Sequence, residues 1–156
     1  MAWENEDKFL LVYTLVVAVL LIGGIALTSR VDAHEKDLDW PALLTALERV
    51  EAPATAEQAQ RAIEREGAYG PLQIRQLALD DVNRQCGTDV KLAEVATSRN
   101  LSRWVCVQYI RMHVRQLTYE KAARTWNGGP SGPKKKATQD YWQKVREALQ
   151  EQGIDT

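Results

Sequence analysis

The sequence predicts a mainly α-helical protein in which one helical domain follows a single N-terminal transmembrane helix. The first observation is an uncharged apolar run near the N-terminus, FLLVYTLVVAVLLIGGIAL, at residues 9–27. The second is that apolar residues recur at spacings of three and four through most of the remaining chain. The third is that no alternating apolar and polar stretch exceeds a few residues. The total of 156 residues suffices for one globular domain.

The apolar run is interpreted as a membrane anchor or an uncleaved signal. As a helix it would extend about 28 Å, which matches the hydrocarbon thickness of a bilayer. A core helix is excluded because the run has no polar face. A cleaved signal peptide is the alternative, because Val31-Asp32-Ala33 fits the small-residue rule at a cleavage site. Against this alternative, the segment before the run is acidic, whereas signal peptides begin with basic residues. The chain then divides into an N-terminal flank (1–8), the anchor (9–27), a mostly polar tether (28–38) and the domain (39–156).

The first helix of the domain is predicted from Trp40 to about Glu51. Asp39 is a suitable N-terminal cap, and Pro41 is tolerated in the first turn of a helix. Pro53 disfavours the α region at the residue before it, so the helix is expected to end shortly before this proline.

The rest of the domain is also predicted to be helical. A second short helix is expected to start at Thr55, where Thr55 and Gln58 form a capping-box pattern. Apolar spacing predicts four further helices, over residues 74–84, 98–117, 118–126 and 138–150. The stretch NGGPSGPKKK between the last two is predicted to be a loop.

Composition excludes several classes of function. The balance of 20 Lys+Arg against 21 Asp+Glu argues against a dedicated nucleic-acid binder. Two cysteines are too few for a zinc site built on cysteine pairs. The two histidines, His34 and His113, are not in a metal-ligand spacing. We therefore predict no metal site.

Glu51 is a candidate general acid. A carboxylate at the C-terminus of a helix lies beside the partial negative charge of the helix dipole, here next to the apolar face that contains Val50. Both effects disfavour ionisation, as a general acid that works near neutral pH requires. The alternative for the pattern alone is an ordinary solvated glutamate at a helix end.

Two further segments have patterns suited to ligand binding. In GAYGPLQIR, glycines on both sides of Tyr69 indicate a tight bend that lets backbone near Gly70 approach a ligand, and Gln73 is placed at the start of the next helix. In ARTWNGGP, Trp126 and Asn127 put an aromatic face and an amide at the rim of a turn, and such groups bind sugar rings. The alternatives are an ordinary turn for the first segment, and a core tryptophan followed by a helix-capping asparagine for the second.

In combination, these motifs resemble the lysozyme-like lytic transglycosylase superfamily. That superfamily has, in order, a helix-ending Glu, a G-x-x-Q motif and an aromatic-Asn-x-G segment. Here they correspond to Glu51, to Gly70-Pro71-Leu72-Gln73 and to Trp126-Asn127-Gly128-Gly129. The segments GPLQI, DDVNR, RTWNGGPSG and YWQKV are similar to sequences of a small bacterial and phage branch of the superfamily. The resemblance covers residues 43–145. It implies a lysozyme-like helical domain of the α+β superfamily.

The resemblance implies an enzyme that cleaves the β-1,4 bond between N-acetylmuramic acid and N-acetylglucosamine in peptidoglycan, as a lytic transglycosylase or a muramidase. Glu51 would be the single acid/base, and Tyr69, Gly70, Gln73, Trp126 and Asn127 would bind the glycan. No metal or organic cofactor is implied. The expected partners are peptidoglycan strands, the membrane through residues 9–27 and a protein of an envelope complex, but no nucleic acid. The domain is expected on the periplasmic or extracytoplasmic side of a single-pass protein.

A second function stays open from the sequence. The superfamily usually continues the catalytic Glu with Ser and a glycine-rich loop, whereas this chain continues with Ala52-Pro53-Ala54-Thr55. The alternative is therefore a catalytically degenerate domain that binds peptidoglycan or scaffolds a cell-envelope complex. Cys86 and Cys106 are either joined in a disulfide, which an oxidising compartment favours, or free thiols.

Overall fold

The computed structural model describes residues 38–156. The predicted flank and anchor, and the tether up to residue 37, lie outside these described residues. Within residues 38–156, no helix is long and apolar enough to cross a membrane.

The described part of the chain is mainly helical, as predicted. Its elements, in chain order, are the helices and strands α1 (Trp40–Glu51), α2 (Ala56–Glu66), β1 (Ala68–Tyr69), β2 (Ile74–Arg75), α3 (Gln76–Cys86), α4 (Leu92–Thr97), α5 (Arg99–His113), α6 (Tyr119–Gly128) and α7 (Gln139–Gln150). Two short 3-10 turns, Gly132–Lys134 and Lys136–Thr138, connect α6 to α7.

Helix α1 begins and ends as the sequence predicts. The Asp39 side chain accepts a hydrogen bond from the backbone N–H of Ala42 at 2.9 Å, and Pro41 occupies the first turn. The helix ends at Glu51, and the following Ala52 is extended, as expected for a residue that precedes a proline. These local signals fix the position of Glu51 at the C-terminus of α1.

The segment after α2 differs from the prediction. Strands β1 and β2 form a two-stranded antiparallel hairpin in which Tyr69 pairs with Ile74 and Ala68 pairs with Arg75. The helix predicted to start at Ile74 starts instead at Gln76, and Gln73 therefore lies in the hairpin turn and not at a helix start. Strands of two residues are too short to show an alternating pattern, so no strand was predicted here.

Three further features of the secondary structure differ from the prediction. Helix α5 ends at His113 rather than at residue 117, because Val114 is already extended. The six-residue α4 was not predicted, since so short a helix shows no clear period. The NGGPSGPKKK stretch is not entirely a loop: its first two residues complete α6, and 3-10 turns follow. The start of α2 agrees with the prediction, with Thr55 accepting a hydrogen bond from the Gln58 N–H.

The core lies between α1, α5, α6 and α7, and the hairpin with α3 and α4 completes it. Helix α1 packs on α7, while α5 contacts α3, α4 and α6. The largest fully buried side chains are mostly aliphatic, including Leu43, Leu47, Leu72, Ile110 and Leu149. Helix α2 has no buried residue, and of the other elements it packs mainly against β1. Helix α2 is therefore an exposed helix that connects α1 to the hairpin.

A close backbone contact holds the chain after α6 in place. A Cβ atom added to Gly132 would lie 1.8 Å from the carbonyl oxygen of Arg124, so only glycine fits there. The Thr138 hydroxyl donates a hydrogen bond to the Gly132 carbonyl at 2.8 Å, and the Arg124 Nε donates to the same hydroxyl at 3.0 Å. These contacts fold the 3-10 turns against the helix that contains Trp126.

Candidate functional site

Glu51 is a partly buried carboxylate at the C-terminus of α1. Burial raises its pKa above the ordinary value of 4.5, and the negative charge of Glu66 acts in the same direction. Tyr141 and the positive charge of Arg75 act in the opposite direction, but the net effect is a raised pKa. Because the raised pKa favours the protonated form, the carboxyl group is suited to donate a proton.

Tyr141 on α7 is the polar side chain that most directly influences Glu51. Its hydroxyl is buried and makes no hydrogen bond of good geometry, yet it lies close enough to the Glu51 carboxylate to lower that group's pKa. Burial and the charge of Glu51 raise the pKa of Tyr141 itself, so it stays a neutral phenol. Tyr141 is thus a hydrogen-bond donor held beside Glu51.

We expect the substitution Tyr141→Phe to raise the pKa of Glu51 further. A phenol that donates toward a carboxylate stabilises its ionised form, and the variant lacks this donor while keeping the aromatic ring. An NMR titration of the Glu51 carboxyl carbon in both proteins measures the difference. The matched control is Tyr119→Phe, which removes a phenol that accepts from the Asp39 N–H and should leave the titration of Glu51 unchanged. A lower pKa in Tyr141→Phe would contradict the role assigned to the hydroxyl.

The hairpin turn holds Gly70 and Gln73 together. The backbone N–H and the side-chain amide of Gln73 both donate to the Gly70 carbonyl, at 3.1 and 2.9 Å. Gln73 has a positive φ of 52°, and Gly70 has a φ of 72°. A Cβ atom on Gly70 would lie 3.0 Å from the carbonyl oxygen of Val95, so Gly70 also permits the close approach of α4. The G-x-x-Q residues therefore define the shape of the turn.

Arg75, on strand β2 of this hairpin, influences the charge state of Glu51. Arg75 forms an ion pair with Glu66, and the charges of both residues affect the pKa of Glu51. Arg75 pairs with Ala68 in the hairpin, and the next pair in the ladder contains Tyr69, whose side chain is partly buried. Because successive residues of a strand point to opposite faces, Tyr69 lies on the other face of the hairpin from the pair that contains Arg75.

Trp126 and Asn127 lie at the C-terminal end of α6. Trp126 is partly buried and packs edge-to-face on Tyr109 of α5, with ring centroids 5.8 Å apart. Asn127 is exposed, so its amide is accessible to a ligand. A Cβ atom on Gly129 would lie 3.8 Å from the Tyr109 hydroxyl, which places this turn beside the same aromatic ring.

The predicted site residues form three groups: Glu51, the hairpin turn, and the end of α6. Within residues 38–156, no hydrogen bond or ion pair joins Glu51 to Gln73, Trp126 or Asn127. Helix α5 connects the first and third groups through Cys106 and Tyr109, which lie one turn apart. Burial and the charge of Glu51 raise the pKa of the Cys106 thiol, and the Tyr109 ring packs on Trp126. Cys106 is fully buried and Tyr109 is 7% exposed, so these two residues join the groups through the core of the domain.

Sequence reasoning missed three residues that neighbour the predicted site residues: Tyr141, Arg75 and Tyr109. Tyr141 belongs to the YWQKV segment, but its helical spacing to Val145 indicated only a residue near the core. Arg75 was placed within a helix, and nothing in the sequence brings it toward Glu51. These residues reach the site through tertiary packing.

The remaining predictions concern carboxylates, cysteines and metals. Asp80 accepts a hydrogen bond from Gln76, and Asp81 pairs with Arg84, so both have the helix-surface roles favoured from the sequence. Cys86 is exposed and Cys106 is buried, and both are free thiols here. Within residues 38–156, no three potential His, Cys, Asp or Glu ligands lie together in a way that would hold a metal ion.

No protein-family model matches this chain, and no curated protein matches it at a significant level.

Proposed function

We propose that this protein is a membrane-anchored lytic transglycosylase or lysozyme that cleaves peptidoglycan with Glu51 as a single acid/base, in a lysozyme-like domain. The proposal combines the ordered motifs of the sequence with the environment of Glu51. The single observation that carries it is the contrast between two glutamates one turn apart on α1.

Glu48 and Glu51 have opposite electrostatic environments. Burial alone would raise the pKa of Glu48, but hydrogen bonds and charge from Arg103 and Arg99 overcome this effect and lower the pKa to about 2. Among residues 38–156, no cation makes a hydrogen bond to Glu51, and burial raises its pKa. Carboxylates whose pKa values are driven apart in this way are typical of sites that need one proton donor. Glu48 is thus a permanent anion, and Glu51 is the proton donor.

The chemistry follows from a single carboxyl group. Protonated Glu51 donates its proton to the glycosidic oxygen as the bond to the anomeric carbon breaks. The resulting carboxylate then accepts a proton from the attacking hydroxyl. If that hydroxyl belongs to C6 of the same sugar, a 1,6-anhydro product forms, and if it belongs to water, the bond is hydrolysed.

A two-carboxylate mechanism has less support. A retaining glycosidase needs a second carboxyl group about 5 Å from the acid. Asp80 and Asp81 lie on α3 and are engaged in local contacts. Glu66 affects the pKa of Glu51, but it is paired with Arg75. The single-acid mechanism therefore fits these residues better.

Side chains at the other two groups provide the kinds of contact that a glycan strand needs. The partly buried ring of Trp126 is supported edge-on by Tyr109, so a sugar can pack on a rigid aromatic surface. The exposed Asn127 amide and the partly buried Tyr69 offer hydrogen bonds to acetamido and hydroxyl groups. Gly70 and Gln73 would set the backbone shape of the hairpin. The anchor at residues 9–27 would hold the domain on the extracytoplasmic side, where peptidoglycan is found.

The alternative function is binding or scaffolding without cleavage. The observation that favours it is α2, an exposed helix in the position where the superfamily usually has a glycine-rich loop after the catalytic Glu. A helix is stiffer than such a loop, so it would limit how the segment after Glu51 closes on a substrate.

The test is mass spectrometry of the fragments that the full chain, purified in mild detergent, releases from purified sacculi. Release of anhydro-muropeptides would establish a lytic transglycosylase, and release of fragments with ordinary reducing ends would establish a lysozyme. Co-sedimentation with sacculi without any release would establish the binding alternative. A protein that neither binds nor cleaves sacculi would overturn the proposal.

A further inference from the structure

A polar cavity lies where α5 ends and faces α6, and we call it the α5–α6 cavity. Its volume is about 440 Å³, which is in the range of cavities that hold small organic ligands. The polar side chains that line it are His113, Arg115, Gln116, Lys121 and Thr125. Because Glu51 is not part of this lining, the cavity has no part in the proposed proton transfer.

Two buried polar atoms at this cavity have no hydrogen-bond partner among residues 38–156. Thr125 is fully buried, and its hydroxyl oxygen is unpaired. The Nε2 atom of His113 is also buried and forms no hydrogen bond, and the Asp81 carboxylate is 4.0 Å from it. A hydroxyl and an imidazole nitrogen can both donate a hydrogen bond. A buried polar group without a partner costs free energy, and a ligand that accepts these two bonds recovers it.

The charge of the cavity is positive. Arg115 is exposed and makes no ion pair or hydrogen bond with any residue between 38 and 156. Lys121 contacts the neutral side chain of Gln116, at 3.3 Å. None of the described residues that line the cavity is acidic, and the nearby Asp81 forms an ion pair with Arg84. An anion with several oxygen atoms would therefore meet two uncompensated cations and two unpaired donors.

The chain enters the domain at the same two helices that form the cavity. The Asp39 N–H donates a hydrogen bond to the Tyr119 hydroxyl at 2.9 Å, and Tyr119 is two residues before Lys121 on α6. The guanidinium carbon of Arg111, in the last turn of α5, lies 5.4 Å from the centre of the Trp40 ring. The residues at the start of the domain therefore contact both α5 and α6.

The length of chain before the domain indicates what lies within reach of this entrance. The predicted anchor ends at residue 27, and the eleven residues 28–38 separate it from Asp39. Even when fully extended, eleven residues span no more than about 40 Å. The surface from which a membrane anchor emerges presents the phosphate groups of lipids. The predicted anchor thus keeps the entrance of the domain within this distance of lipid phosphates.

Resting on the membrane anchor of the proposed function, we infer that the α5–α6 cavity binds the phosphate of an anionic lipid headgroup such as that of phosphatidylglycerol. Arg115 and Lys121 pair with the phosphate, and the Thr125 hydroxyl and the His113 Nε2 donate hydrogen bonds to its oxygens. The cavity also has room for the glycerol of the headgroup. Binding at this basic cavity holds the domain at the membrane surface.

The test follows the NMR signal of the His113 ring in the full chain, purified in a neutral detergent. Three soluble probes are added in turn: glycerophosphoglycerol, which is the headgroup without acyl chains, glycerophosphocholine, whose choline cancels the charge of the phosphate, and inorganic phosphate. We expect saturable shifts with glycerophosphoglycerol at concentrations about tenfold lower than with glycerophosphocholine. Equal binding of these two probes, shifts with inorganic phosphate alone, or no shift with any probe would overturn the inference.

Variants link these shifts to the cavity. Arg115→Gln/Lys121→Gln should bind glycerophosphoglycerol about tenfold more weakly, because it lacks both cations. Thr125→Val removes the buried hydroxyl but keeps the shape of the side chain, so binding should weaken while the melting temperature does not fall. The matched control is Arg65→Gln/Lys144→Gln, which removes two exposed positive charges outside the cavity lining and should bind as the wild type does. An equal loss in this control would show a general attraction to positive charge and would overturn the inference.

A second measurement places the full chain in lipid nanodiscs and separates the inference from the proposed function. The His113 signal should shift when phosphatidylglycerol replaces part of the phosphatidylcholine, and the Arg115→Gln/Lys121→Gln variant should not show this shift. A chain that inserts into both kinds of disc without the shift would overturn the inference and leave the anchor intact. A chain that stays outside the discs would overturn the anchor and, with it, the inference. Failure to bind or cleave sacculi would overturn the proposed function without affecting the lipid result.

Discussion

The substitution Glu51→Gln is expected to reduce glycan cleavage by about 100- to 10,000-fold, which is the usual contribution of general acid catalysis. Glutamine keeps the size of the side chain and its contact with Tyr141, but it has no proton to donate to the glycosidic oxygen. The measurement is the rate of soluble fragment release from sacculi by the full chain.

The matched control for this variant is Glu66→Gln. Glu66 is the acidic residue whose charge raises the pKa of Glu51, and it is the last residue of α2. Its replacement removes one negative charge from the same neighbourhood, and we expect cleavage to change less than threefold. Full activity in Glu51→Gln would show that Glu51 is not the acid, and an equal loss in Glu66→Gln would show that the effect is not specific to Glu51.

Glu51→Gln should also make the protein more stable at neutral pH, whereas replacing a glutamate with only a structural role would not. The pKa of Glu51 is raised in the folded protein, so the folded state binds this proton more tightly than the unfolded chain does. The stabilisation is therefore present below the ordinary pKa of 4.5 and is lost as the pH rises through the raised value. The variant should melt at a higher temperature than the wild type at pH 7 and at a similar temperature near pH 4.

The substitution Arg103→Gln is expected to lower the free energy of unfolding by about 2–3 kcal/mol at pH 7. Arg103 donates two hydrogen bonds to Glu48, at 2.8 and 2.7 Å, and one to Thr45 at 3.1 Å. Glu48 is only 6% exposed, so a loss of this partner leaves a buried carboxylate poorly compensated. Urea denaturation measures the change.

Two comparisons make this expectation specific to the buried charge. Arg99→Gln removes a partner whose side chain is 63% exposed, so water replaces it easily and the loss should be smaller. Adding Glu48→Gln to Arg103→Gln removes the uncompensated charge and should recover part of the lost stability. If the double variant is no more stable than Arg103→Gln, the loss arises from packing and not from the charge of Glu48.

The pH dependence has the opposite sign to that of Glu51. The pKa of Glu48 is lowered from 4.5 to about 2, so its stabilisation is present above pH 4.5 and is lost as the pH falls toward 2. The stability difference between wild type and Arg103→Gln should therefore shrink below pH 4.5. Together, the two glutamates give α1 one carboxylate that stabilises the fold at neutral pH and one that does not.

This contrast also shows the limit of the sequence. The pattern WPALLTALERVE predicts a helix that begins after Asp39 and ends at Glu51, and both ends are confirmed. The spacing places Glu48 and Glu51 one turn apart, but it does not distinguish them chemically. The distinction comes from Arg99 and Arg103 on α5, whose guanidinium groups reach one glutamate and not the other. Local sequence fixes helix ends, whereas pKa values depend on neighbours that are distant in the chain.

The hairpin is a second example. The glycines on both sides of Tyr69 indicated a tight bend, and the observed turn begins at Gly70, but Gln73 lies in that turn and the helix predicted from Ile74 starts two residues later, at Gln76. Four strand residues cannot show a period, and their pairing is stabilised by contacts with α2, α3 and α4. The strand conformation of Ile74 and Arg75 is therefore decided by tertiary packing.

The sequence by itself determined the helical class, the ends of α1, the cap of α2 and the identity of the candidate acid, because capping, proline restriction and apolar spacing act over a few residues. Only the tertiary structure decided that Tyr141 and Arg75 lie beside Glu51 and that Tyr109 supports Trp126. These arrangements join segments far apart in the chain, and no local pattern encodes which side chains a fold brings together.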